Sequence, residues 1–71
     1  MVAADILMEK LAKDLILGLT VVVSKGYLAN SLQLSLEDID RAVEELETIG
    51  YVKLFTVASP DLLRLKMTML P

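Results

Sequence analysis

The sequence predicts one small α+β domain in which three helices and a short strand are followed by a β-hairpin. Three observations carry that expectation. Leu36, Ile39, Val43, Leu46 and Ile49 recur at three- and four-residue steps between Ser35 and Gly50, which is the spacing of an amphipathic helix. After Gly50 the apolar period drops to two, as in strands. The 71 residues contain no Cys and no His, so a single thin core must be held by packing rather than by disulfides or imidazole-bound metal.

The elements follow in chain order. A first helix is predicted over residues 3–17, with Leu7, Met8, Leu11, Ala12 and Leu15 as its buried stripe and Gly18 ending it. Glu9–Lys13 and Lys10–Asp14 add weak i,i+4 pairs on its wet side. Residues 20–23 are β-branched and predict one short strand. A second helix is expected over 25–32, capped by Ser24, with Val23 and Leu28 at hydrophobic-staple spacing and Leu28, Ala29 and Leu32 on its apolar side. The third spans 36–49. Ser35 is its N-cap, Asp38 a short-armed capping-box partner, Leu34 and Ile39 a second staple, and Gly50 its left-handed stop. Only Gln33 and Leu34 separate the two helices from cap to cap, so they must cross steeply. The hairpin is predicted over 51–57 and 62–69, around the turn Ala58-Ser59-Pro60-Asp61. In its second strand Leu63, Leu65, Met67 and Met69 face one way, and Arg64, Lys66 and Thr68 the other.

The run Leu28-Ala29-x-x-Leu32-x-Leu34-Ser35-x-x-x-Ile39-x-x-Ala42-Val43-x-x-Leu46-Glu47-x-x-Gly50-Tyr51-Val52 resembles the winged helix-turn-helix pattern of many bacterial and archaeal regulators. The resemblance implies DNA binding, with the third helix in the major groove and the hairpin as the wing. Gln33 departs from the pattern where Gly is frequent. If the turn needs a left-handed residue there, Gln costs about 1 kcal/mol.

The charge map points elsewhere. Residues 35–50 carry Glu37, Asp38, Asp40, Glu44, Glu45 and Glu47 against Arg41 alone, a net of −5, and the rest of the chain is +2, giving −3 overall. A base-reading helix works among phosphates and normally needs Lys and Arg to neutralise them. The helix dipole explains acids at Glu37 and Asp38, but it disfavours Glu44, Glu45 and Glu47 near the other end. The expectation is therefore a protein-partner surface built from Glu37, Asp38, Asp40, Arg41, Glu44 and Glu45. The plainer alternative is a solvated face on which Arg41 pairs with Glu37 and Glu45.

Two other surfaces are expected. Lys53, Arg64 and Lys66 should share the outward face of the hairpin beside Tyr51 and Phe55, as a nucleic-acid contact made of Lys53, Phe55, Arg64 and Lys66, or as protection of an edge strand. The chain is 55% hydrophobic, a surplus that a second copy or a partner would cover. On a helical wheel Ile6, Lys10, Lys13 and Leu17 lie opposite the buried stripe and are predicted as a dimer seam.

No nucleophile–base pair and no glycine-rich phosphate loop is visible, so no enzyme activity, cofactor, metal or small-molecule ligand is expected. The longest apolar run, Leu15 to Val23, is too short for a membrane span, and the first residues lack a basic leader, which makes a cytoplasmic protein the default. The favoured function is a non-enzymatic module, acting as a dimer or subunit in nucleic-acid-handling machinery, that offers its acidic helix to a protein. A small DNA-binding regulator using its basic hairpin is the alternative.

Overall fold

A computed structural model describes residues 3–69. The order is α1 (Ala3–Asp14), β1 (Thr20–Ser24), α2 (Lys25–Leu32), α3 (Leu36–Thr48), β2 (Val52–Phe55) and β3 (Leu62–Met67). This is a small α+β domain of three helices and a three-stranded antiparallel sheet in the order β1-β3-β2.

Local chemistry sets the boundaries of α2 and α3. The Ser24 hydroxyl oxygen accepts from the Tyr27 N–H at 3.2 Å and caps α2. Gln33 ends it in the left-handed region (φ 56°, ψ 44°), which lets the Leu34 N–H reach the Ala29 carbonyl at 2.9 Å. Ser35 and Asp38 form a complete capping box: the Asp38 N–H donates to the Ser35 hydroxyl at 3.0 Å, and the Ser35 N–H donates to the Asp38 carboxylate at 3.4 Å. At the far end Gly50 takes φ 80°, its N–H bonds to the Glu47 carbonyl at 3.0 Å, and the Tyr51 N–H reaches the Leu46 carbonyl at 2.9 Å. That bond pair is the Schellman arrangement, and it places Tyr51 against Leu46, both fully buried.

The helices cover one face of the sheet. Leu7 and Leu11 of α1, Leu28 of α2, and Ile39, Ala42, Val43 and Leu46 of α3 meet Val52, Leu63, Leu65 and Met67 from the strands in one core. Register fixes the faces. Lys66 lies between Thr20 and Lys53, Leu65 between Val21 and Leu54, and Arg64 between Val22 and Phe55. Because directly opposite residues share a face, the Leu65 row points inward and the Lys66 and Arg64 rows point away from the helices.

Two predicted elements are shorter than expected. The first helix stops at Asp14, not at residue 17. Residues 16–19 instead form a β-turn closed by the Leu19 N–H to the Ile16 carbonyl at 3.1 Å, with Gly18 at φ 82° as its third residue. That is the place where a type II turn needs a positive φ. The Gly18 N–H also bonds to the Met67 carbonyl at 2.9 Å, so pairing with the sheet overrides continuation of the helix. Gly18 is a turn residue of the strand that follows, not a helix cap. The hairpin strands contract to 52–55 and 62–67, because the 56–61 connection is held by other bonds. The Asp61 carbonyl accepts from the Lys25 N–H at 2.9 Å, and the Ser59 hydroxyl oxygen accepts from the Asp61 N–H at 3.3 Å. Met69 lies beyond β3 and is exposed, so it does not continue the buried row of Leu63, Leu65 and Met67. Among the described residues, no helix is long and apolar enough to cross a membrane.

Candidate interaction surfaces

The inward face of α3 is apolar, which turns its acids outward. Ile39, Ala42, Val43 and Leu46 are buried, while Glu37, Asp40, Glu44, Glu45 and Glu47 are exposed. Their local partners differ. Asp38 is half-buried and engaged in its own cap. Asp40 holds Lys25 at 2.8 Å, a link between α2 and α3 that no sequence spacing announced. Arg41 pairs with Glu37 at 3.3 Å and not with Glu45, which corrects the expectation of a shared cation. Glu44, Glu45 and Glu47 form no ion pair among the described residues.

At the N-terminal end of α3 the acids adjoin an apolar patch. Leu36 is 53% exposed and lines a groove of about 360 Å³ with Gly26, Asp40, Pro60 and Asp61. Here α2, α3 and the hairpin connection converge. The convergence offers the carboxylates of Asp40 and Asp61 against the single cation of Lys25, which Asp40 already holds.

On the other side of the core, the outward face of the sheet is cationic. Lys53 and Arg64 are exposed, Lys66 and Phe55 half-buried, and none of the three cations forms an ion pair among the described residues. Lys53 stands directly opposite Lys66, and both ammonium groups lie over the Phe55 ring, 5.5 and 6.0 Å from its centre. Like charges directly opposite each other destabilise a strand pair. The ring's negative π face offsets part of that repulsion. Edge protection accounts for Lys53 on the outer strand β2, but Arg64 and Lys66 stand on the central strand, where there is no edge to protect. Tyr51 is not part of this face. It is fully buried, its hydroxyl donates to the Met67 Sδ at 3.2 Å, and burial pushes its phenol above the ordinary tyrosine value.

The structure keeps three of the four residues expected at the dimer seam together and separates the fourth. Ile6, Lys10 and Lys13 line one shallow groove with Leu32, but Leu17 lies past the end of α1, in the turn, and leaves that wheel. Lys10 is also committed within the chain. Its ammonium sits 2.8 Å from the Asp14 carboxylate and 5.5 Å from the centre of the Tyr27 ring. The bond to Asp14 raises its pKa, with desolvation opposing and Tyr27 assisting.

Around β1 the structure exposes Leu17 together with three apolar residues that the sequence did not single out, Ile16, Leu19 and Val22. Ile16 is 68% exposed, and Leu17, Leu19 and Val22 are each 49% exposed. Alternation along Thr20–Ser24 was the available signal, since it places Thr20, Val22 and Ser24 on the outward side. No group of three metal-ligating side chains occurs among the described residues. Comparison with protein-family models, with curated proteins and with solved structures finds no match to this chain.

Proposed function

We propose that this domain is a winged helix-turn-helix module without enzymatic activity, acting as a subunit or dimer in nucleic-acid-handling machinery. In this reading α3 engages a basic protein segment in place of DNA bases. Support for the winged-helix assignment comes from the helix, strand, helix, helix, hairpin order and from the tight left-handed turn at Gln33 between α2 and α3. The partner class rests on one observation. The outward face of α3, where a base reader would carry cations, presents Glu44, Glu45 and Glu47 with no ion pair among the described residues, and its N-terminal end exposes Leu36 in the same groove as Asp40. Carboxylates next to an exposed leucine fit a basic, amphipathic protein segment and repel phosphate.

The test uses a fluorescent Lys/Arg-rich amphipathic peptide and random duplex DNA at low salt. Wild type should bind the peptide in a salt-dependent way. The triple variant Glu44→Gln/Glu45→Gln/Glu47→Gln should bind about tenfold more weakly, as ~0.5 kcal/mol from each surface charge gives. Equal binding by the variant would refute the reading, and so would a duplex shift that depends on α3.

A second reading has its own support. Lys53, Arg64 and Lys66 around Phe55, without ion pairs among the described residues, suit a polyanion, as a phosphate backbone docked on the sheet. In that case a gel shift appears at low salt, falls steeply as salt rises, and disappears in Lys53→Ala/Arg64→Ala/Lys66→Ala.

A further inference from the structure

The sheet has two edges of opposite character. β2, at one edge, carries Lys53 at an exposed position. Thr20–Ser24, at the other, is a strand of three valines between two hydroxyl residues, and the ten residues from Leu15 to Ser24 include no charge. It has no Pro and no bulge, the devices that commonly blunt an edge. Val21 and Val23 point toward the core yet remain only half-buried, because no strand lies beyond them. The turn leading into β1 adds the exposed side chains of Ile16, Leu17 and Leu19. A free strand edge carries a row of backbone donors and acceptors that only another strand can pair in register.

We infer that β1 pairs antiparallel with β1 of a second copy about a two-fold axis at Val22, joining two three-stranded sheets into one of six strands. The occupant is identified by self-complementarity. With Val22 opposite its own copy, Val21 faces Val23 and Thr20 faces Ser24. Every cross-strand pair is then apolar or hydroxyl to hydroxyl, the kinds that stabilise an antiparallel ladder. Charge does not oppose the pairing. The nearest cationic rows, on the two β3 strands, would stand three strand spacings apart, roughly 14 Å. That exceeds the Debye length of about 8 Å at physiological salt. An isologous pairing of this kind closes on itself and leaves no further β1 edge to extend. The inference does not depend on what α3 binds, and it moves the expected dimer contact from α1 to β1.

The absence of cysteine makes the test specific. Val22→Cys places two thiols opposite each other across the axis, within the Cα separation that a disulfide spans. It should give a disulfide-linked dimer on mild oxidation, whereas Lys53→Cys on the other edge stays monomeric at the same concentration. Sedimentation of wild type should show a concentration-dependent dimer. Val22→Lys, at an exposed position, should shift it to monomer while the circular dichroism spectrum is unchanged. A wild type that remains monomeric at millimolar concentration would overturn the inference. A dimer that persists in Val22→Lys, or equal cross-linking through Lys53→Cys, would overturn it as well.

Discussion

Gln33 is the one described residue other than glycine with a positive φ. For an L-residue with a Cβ the left-handed region costs about 1–2 kcal/mol. Gln33 bears that cost because α2 and α3 must turn sharply there, and because its conformation directs the Leu34 N–H to the Ala29 carbonyl. Glycine would relieve the strain but would also give the unfolded chain more freedom, a loss of about 0.4–1 kcal/mol. The difference is in favour of glycine. Gln33→Gly should therefore stabilise the protein by roughly 0.5–1 kcal/mol, raising the thermal midpoint by a few degrees. A lower midpoint would mean that the glutamine side chain contributes something its cap geometry does not reveal.

At the scale of elements, α3 is specified at both ends by short-range chemistry. Ser35→Ala removes the hydroxyl that accepts from the Asp38 N–H and leaves only the other half of the capping box, the backbone N–H of residue 35 donating to the Asp38 carboxylate. The expected cost is about 1 kcal/mol, seen as a lower urea midpoint with an unchanged slope. Ser35→Asp should recover most of it, since a carboxylate both caps and complements the dipole. Such local rules explain what could be foreseen. α2, α3, the caps at Ser24 and Ser35, and the stop at Gly50 were legible because each depends on residues within a turn or two of one another. The end of α1 was not legible, because the Gly18 N–H is claimed by Met67, which lies far along the chain. The Lys25–Asp40 pair was hidden for the same reason, and Tyr51 was misplaced because the Schellman turn, not strand alternation, decides where it points. The acid-rich face of α3 and the cationic trio on the sheet were readable from periodicity, whereas the distinction between edge and central strand came only from topology.

At the scale of the whole molecule, the core is thin and centred on β3. Leu65 is fully buried and lies between Val21 and Leu54, at the middle of the central strand of the sheet. Truncating a leucine in such a position removes its transfer energy and leaves a cavity that both neighbouring strands resist closing, a loss of about 2–5 kcal/mol. A domain of this size, with no cysteine to form a disulfide, derives only about 3–5 kcal/mol of net stability from its core. The two ranges overlap, so Leu65→Ala should abolish cooperative thermal unfolding, with a near-featureless melt from room temperature upward. Leu17→Ala serves as the contrast, because the same truncation at a half-exposed turn residue should change stability by no more than about 0.5 kcal/mol. If both variants melted within a few degrees of wild type, Leu65 could not be the keystone of the packing, and the assignment of inward and outward rows on the sheet would fail with it.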